Sequence, residues 1–219
     1  LLRAAYRQIG SPMIWIYNIA LTFLAPIWVP WMLWRTHKRK EKPSWAERQG
    51  NFPIEARKDA KRVWVHAVSV GEVVAALPIL RELRKQLTGF EIVLSVTTTS
   101  GHQTAREQAN GLFDHLVYFP VDVFRFQLAG MMRVRPKVVA IMETELWLNF
   151  LTVAKDWSAT TMLINGRISD RSFPRSMKLR FFYKALLKKL DRCLMQTQVD
   201  ADRIIALGAT TAEVFGNSK

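Results

Sequence analysis

A doubly wound α/β sheet preceded by a membrane-anchor helix is the architecture this 219-residue chain predicts. From Arg62 onward, short apolar runs rich in β-branched residues alternate with amphipathic stretches. The runs are apolar nearly throughout, as in Val138-Val139-Ala140-Ile141-Met142, the pattern of parallel strands covered by helices on both faces. Ahead of them, the 24 residues Ser11 to Trp34 carry no charge, and 18 of them are apolar.

The uncharged segment comes first. A helix of that length is about 36 Å long, enough for a hydrocarbon core about 30 Å thick. Trp15, Trp28, Trp31 and Trp34 suit a headgroup interface, and Arg35, Lys38, Arg39, Lys40 and Lys42 follow at once. The excess of positive charge on that side places everything after residue 35 in the cytoplasm. Pro26 and Pro30 favour the rival arrangement, a helix lying in one leaflet. A cleaved signal peptide fits less well, because no small-residue cleavage site follows. Residues 1–34 are therefore read as the anchor. Residues 35–61, rich in Lys and Arg and broken by Pro43 and Pro53, read as a basic juxtamembrane linker, and 62–219 as the α/β domain.

Within that domain, strands are predicted at 62–68, 91–97, 115–120, 137–143, 160–165, 192–197 and 213–216. Helices are predicted at 72–87, 101–109, 124–133, 147–155, 174–189 and 199–207. The composition narrows the functions such a domain can have. An apolar content of 49% excludes a disordered chain, and a single Cys excludes a disulfide framework and a Cys-based zinc site. The formal net charge of +14 calls for an anionic partner. Nucleic-acid signatures are missing, so nucleic acid is not the expected one. A second basic cluster, 167–203, holds Lys178, Arg180, Lys184, Lys188 and Lys189 in one predicted helix. It suits a solvated outer face or a surface facing anionic lipid.

Ligands of open α/β sheets bind outside the carboxyl ends of the strands. Polar residues cluster there: Ser69, Gly71 and Glu72; Thr98 and Ser100; Asp122; Glu143 and Glu145; Asn165, Arg167 and Arg171; and finally Gly216 to Lys219. Gly71 permits a tight strand-to-helix turn. Glu72 opens a helix, where the dipole favours a carboxylate. Its position suits both a first-turn acidic residue and a general base taking a proton from a bound hydroxyl. Glu143 and Glu145 have strand spacing and are expected to share a face. Such a pair suits sugar hydroxyls, or pairing with Arg167 or Arg171, better than a metal, since His66, His102 and His115 show no ligand spacing. The stretch from Thr97 to Gly101 offers backbone N–H groups to an anion but lacks a dinucleotide or P-loop glycine pattern.

Together these motifs resemble one family. Glu47-Arg48-Gln49-Gly50, His66-Ala67-Val68-Ser69-Val70-Gly71-Glu72, Met142-Glu143-Thr144-Glu145-Leu146-Trp147-Leu148-Asn149, Asn165-Gly166-Arg167-Ile168-Ser169-Asp170-Arg171-Ser172 and Gly216-Asn217-Ser218-Lys219 look, in order and spacing, like the 3-deoxy-D-manno-octulosonic acid (Kdo) transferases of lipopolysaccharide synthesis. The resemblance implies a GT-B glycosyltransferase with two Rossmann-like domains, of which this chain is the N-terminal one. It implies inverting transfer of Kdo from CMP-Kdo to the 6′-hydroxyl of a bis-phosphorylated lipid A precursor (lipid IVA), at the cytoplasmic face of the bacterial inner membrane. No metal and no cofactor are expected, CMP-Kdo being a substrate. Glu72 would be the base, with Glu143 and Lys219 stabilising the transition state. The acceptor is expected to meet Arg48, Ser69, Gly71, Thr98, Ser100, Glu145, Asn165, Arg167 and Arg171, the three arginines at its phosphates. Leu148 departs from the family pattern, which has Pro there. Family chains are also roughly twice this length, so the resemblance implies an acceptor-binding half, inactive without the C-terminal domain that holds CMP-Kdo. The alternative is a non-enzymatic, membrane-anchored basic module binding anionic lipid or a protein partner.

Overall fold

The computed structural model describes residues 12–38, 44–144 and 146–218. Seven strands form one parallel sheet: β1 (Arg62–Ala67), β2 (Glu91–Val96), β3 (His115–Tyr118), β4 (Val138–Met142), β5 (Thr160–Gly166), β6 (Arg192–Met195) and β7 (Glu213–Val214). Their order is β3-β2-β1-β4-β5-β6-β7. Alternation along the strands divides the core into two layers. Val63, Val65, Ala67, Ala140 and Met142 face one layer, which α4 (Val70–Gln86) and α5 (Thr99–Gln108) cover. Trp64, Val139, Ile141 and Leu163 face the other, under α6 (Phe124–Val134), α7 (Leu148–Asp156), α9 (Arg180–Leu187) and α10 (Gln198–Leu207). Helices on both faces of a parallel sheet make the fold Rossmann-like, as expected. The order reverses between β1 and β4, so the switch point, where such sheets offer a crevice to ligands, lies at the carboxyl ends of those two strands.

Helix boundaries follow local chemistry. Thr98 and Thr197 cap α5 and α10 by accepting hydrogen bonds from Gly101 N and Asp200 N, and Gly208 ends α10 at φ 115°. The predicted helix 174–189 is instead two: α8 (Phe173–Lys178) and α9, broken at Leu179 (φ −109°, ψ 28°). The break lets Arg180 Nε donate to Ala206 O at 2.7 Å while Ser176 stays buried. It is a tertiary effect that no glycine or proline marks.

The N-terminal segment also differs from expectation. Rather than one rod, it forms α1 (Pro12–Phe23) and α2 (Ala25–Lys38), bent by 63°. No single helix among the described residues is long and apolar enough to cross a membrane, although the bent pair taken together is. Pro26 explains the break, since it cannot donate to the preceding turn. One side of α1 packs on the domain: Ile14 is buried, Tyr17 Oη donates to Asp122 Oδ2 at 2.9 Å, and Asn18 pairs with Asn149 at 2.8 and 3.0 Å. Trp15, Ile19 and Phe23 are exposed.

Residues 44–61, within the expected linker, pack against the sheet. A short helix, α3 (Trp45–Arg48), leads into a strap across the carboxyl end of β3. Glu47 Oε2 accepts a hydrogen bond from Tyr118 N at 2.6 Å, and Arg48 O accepts one from Val121 N at 2.9 Å. Phe52 and Ile54 enter the core. Gly50 sits at φ 80°, and a Cβ there would lie 2.2 Å from Phe126 O. The strap and α6 approach so closely only because position 50 has no side chain.

Candidate functional site at the carboxyl edge of the sheet

The strand register places the site residues. Ala67 pairs with Val96, His66 with Ile141, and Met142 with Ile164. One step beyond the last paired level, Thr97, Val68, Glu143 and Asn165 therefore form a row across four strand ends. Thr98 N and Oγ1 both donate to Val68 O, at 3.2 and 3.1 Å, which ties the first two ends together. Glu143 N donates to Ile164 O at 2.9 Å, which ties the last two. The switch between β1 and β4 lies between the pairs, with Glu72 on one side and Glu143 on the other.

Glu72 is the third residue of α4 and is 6% exposed. Its Oε2 accepts from Val68 N at 2.9 Å, and its Oε1 accepts from Ser69 Oγ at 3.0 Å. Ser69, at the N-cap, makes no side-chain bond to the helix backbone, so the carboxylate reaches back to the residues before the helix without forming a capping box. The first-turn reading of Glu72 is thus realised in the geometry. An ionised carboxylate still has about four lone-pair sites, so these two bonds fix the group without exhausting it as an acceptor. Gly71 is not demanded by the turn. It has no positive φ, and a Cβ there would meet only Ser69 Oγ at 4.0 Å. Its bareness leaves open space beside Glu72.

Across the switch, the backbone is strained. Glu143 adopts φ 55° and Asn165 φ 56°, both in the left-handed region. Non-glycine residues there cost roughly 1–2 kcal/mol each, Asn being the more tolerant. Because β4 ends at Met142, the strand alternation that was to align Glu143 with Glu145 does not extend to them. Glu145 and Lys219 lie outside the described residues. Asn165 Oδ1 accepts from Ser218 N at 3.2 Å, so the segment after β7 returns to the row. The Asn165 amide nitrogen is buried and has no hydrogen-bond partner among the described residues.

The three arginines part company. Arg48 donates to Thr97 O at 3.0 Å and lies over the Tyr118 ring at 4.8 Å. It braces the end of β2. Arg167 and Arg171 are exposed, and neither makes an ion pair among the described residues. The pair that forms in that motif joins Asp170 to Arg203. Thr98 is committed to its cap, and Ser100 is exposed on the first turn of α5.

Sequence reasoning put Asp122 only among the strand-end polar residues. The structure makes it a hub: it accepts from Tyr17 Oη, from Asn149 N at 3.2 Å and from Phe150 N at 3.0 Å, capping α7 and holding α1. Burial pushes its carboxyl up to about 6, against the pull of these hydrogen bonds. Burial also pushes His66 down to about 3 and the Cys193 thiol up to about 12. Both are therefore neutral core groups at pH 7. Among the described residues, no three His, Cys, Asp or Glu side chains gather where a metal ion could be held.

The chain is similar to known proteins in sequence and in fold. The family described as 3-deoxy-D-manno-octulosonic-acid transferase (kdotransferase) matches residues 43–219. A 3-deoxy-D-manno-octulosonic acid transferase of Chlamydia pneumoniae is 31% identical over 93% of this chain and 47% of its own length. One from Bordetella pertussis is 31% identical over 93% of this chain and 49% of its own. A bifunctional glycosyltransferase/methyltransferase of Fusobacterium nucleatum is 33% identical over 74% of this chain and 26% of its own. The chain thus spans about half, or less, of these relatives. Among solved structures, UDP-GlcNAc 2-epimerase from Neisseria meningitidis, bound to UDP-GlcNAc, superposes on 72% of this chain and 47% of its own, with a TM-score of 0.53 and 11% identity. That likeness concerns the fold alone.

Proposed function

Since this chain belongs to the 3-deoxy-D-manno-octulosonic acid (Kdo) transferase family, we propose that it is the acceptor-binding part of a glycosyltransferase that moves Kdo from CMP-Kdo to a lipid A precursor. The observation that carries the reading is Glu72, a buried carboxylate at a helix start, beside the switch crevice and next to the open space above Gly71.

In this scheme the 6′-hydroxyl of lipid IVA enters the crevice. Its oxygen attacks the anomeric carbon of Kdo while Glu72 takes the proton. The bond from that carbon to the CMP phosphate breaks, and the electron pair leaves with CMP. Attack and departure occur on opposite faces, so the configuration inverts. Ser69 and Val68 N hold the carboxylate in one orientation through the step. Glu143 and Lys219 stabilise charge at the reacting centre. CMP-Kdo is held by residues beyond those described, and no cofactor takes part. The exposed tryptophans of α1 and α2, followed by a run of Lys and Arg, support attachment to the cytoplasmic face of the inner membrane, in one leaflet if the 63° bend persists there.

The test is Kdo transfer by the longest product of the gene. Glu72→Gln should lower turnover about 10²- to 10⁴-fold, with lipid IVA binding unchanged and the melting temperature within a few degrees. Transfer at the wild-type rate would remove Glu72 from its role. Salt-sensitive binding of any anionic vesicle, without preference for lipid IVA, would favour the non-enzymatic lipid module.

A further inference from the structure

Beside the switch crevice, the loop after β5 and helices α8 and α9 enclose a groove of about 450 Å³. Ser169, Arg171, Ser172 and Arg175 line its polar side, with Leu179 and Tyr183 opposite. A smaller pocket of about 110 Å³ shares Ser172, Ser176 and Tyr183 with it. Leu146, Ile168, Leu187, Ile204 and Leu207 also line that pocket, together with Thr144, the neighbour of Glu143. A groove bearing two arginines therefore adjoins a pocket with five aliphatic walls, close to the strained end of β4.

The loop is held stiffly. Ile168 N donates to Asp200 Oδ1 at 2.7 Å, and Ile168 O accepts from Arg203 Nη1 at 2.7 Å. Ser169 and Ser172 are joined hydroxyl to hydroxyl at 3.0 Å. The same Arg203 neutralises Asp170, the one acidic residue in the loop. Arg171 and Arg175 have no acidic partner among the described residues. Two guanidinium forks without acidic partners on a braced turn suit the oxygens of a phosphate monoester, while the two serine hydroxyls donate within the loop, Ser169 to Ser172 Oγ and Ser172 to Ser169 O, both at 3.0 Å. The five aliphatic walls of the adjoining pocket suit a hydrocarbon chain attached to the same molecule. No small hydrophilic anion needs both.

We propose that this groove binds one phosphate of the acylated acceptor, with Arg171 and Arg175 as its ligands and the start of an acyl chain in the adjoining pocket. The assignment of the lipid as acceptor rests on the function proposed above. The assignment of the groove rests on its own chemistry.

Binding is measured with the full chain in phosphatidylcholine nanodiscs, against lipid IVA and against the same lipid stripped of both phosphates. Arg171→Gln/Arg175→Gln should weaken lipid IVA binding at least tenfold and leave the dephosphorylated lipid unaffected. Arg171→Lys/Arg175→Lys, which keeps the charge, should recover part of the loss, showing that the fold is intact. Lys178→Gln/Lys188→Gln removes the same charge from the neighbouring basic face and should change lipid IVA binding less than threefold. Nanodiscs containing phosphatidylglycerol should respond alike to the two Gln double variants. Equal loss in the two variants with lipid IVA, no loss in the Arg171/Arg175 variant, or no binding by the wild type would overturn the groove assignment. Phosphate-dependent binding by the wild type without Kdo transfer by the longest gene product would leave the groove standing and overturn only the enzymatic reading.

Discussion

Arg62 begins β1 at the amino-terminal edge of the sheet, and it is 1% exposed. It donates to Glu91 at 2.6 Å, to Arg133 O and Val134 O at 3.1 and 3.2 Å, and to Glu55 O at 3.0 Å. Arg57 and His115 also reach Glu91. Along the same edge, Asp114 accepts from Ile92 N and Arg84, and Asp191 accepts from Lys155 and Thr161 N. The carboxyl edge differs in its partners. Among the described residues, Arg171 and Arg175 lack acidic partners there, and buried polar atoms of Thr97, Thr99, Trp147, Asn165 and Ser218 lack partners, against Arg84 Nε and Asp156 Oδ2 at the amino-terminal edge. Left-handed non-glycine residues stand at both edges, Glu143 and Asn165 at this one and Arg135 and Ser158 at the other. One edge spends its polar groups on holding strands together. The other uses Glu47, Arg48 and Asp122 in the same way, yet leaves more of its buried polar atoms without partners among the described residues, at a cost in stability. The likeness in strand chemistry between the two edges hides this division, and the side-chain partners reveal it.

Breaking the amino-terminal edge should have the largest effect on stability. Arg62→Ala leaves Glu91 short of a partner and uncaps three carbonyls. The expected loss is about 3–5 kcal/mol, read as a fall in the urea midpoint. A loss under 1 kcal/mol would mean that this edge is not the anchor of the fold.

The next effect is at the carboxyl edge and depends on pH. Asp122 titrates near 6 in the folded chain and near 3.8 when unfolded. The folded state therefore binds more protons between these values. The group's contribution is complete below about pH 4 and falls as pH rises through 6, by at most about 3 kcal/mol. Urea midpoints across pH 4–7 should fall less steeply in Asp122→Asn than in the wild type. An unchanged slope would show that burial there carries no such cost.

The smallest effect sharpens the contrast most directly. Glu143→Gly relieves the left-handed backbone, worth roughly 1–2 kcal/mol, but also loosens the unfolded chain. A net gain of up to about 1 kcal/mol is expected, measured by thermal melting, together with a drop in Kdo transfer. Glu143→Ala should lose transfer without that gain. If both variants melt below the wild type, the strain at this position is not stored for function.

The parallel strands were legible because they are apolar on both faces, and so the crevice could be placed from strand order alone. The first-turn place of Glu72 was legible too, because Gly71 and Glu72 directly follow the first apolar run. What escaped depends on distant partners. Glu47 and Arg48 look like part of a charge run, yet their partners Tyr118 and Thr97 lie 71 and 49 residues away. Leu179 breaks a helix with no local signal, because Arg180 is drawn to the end of α10. Pro26 did announce the bend after Phe23, although hydropathy alone suggested one rod. The strain at Glu143 was invisible, since Glu is an ordinary residue for a strand end and only the backbone reveals its conformation.

Tyr17 and Asn18 are adjacent in α1, and they are bolted to Asp122 and Asn149. A rod pinned at two neighbouring points cannot swivel. Whatever surface receives the exposed Trp15, Ile19 and Phe23 therefore dictates the tilt of the whole sheet, and the crevice inherits that tilt. If the surface is a bilayer, an acceptor confined to the same leaflet meets the crevice by lateral diffusion in two dimensions, already oriented, without a search through the bulk solution.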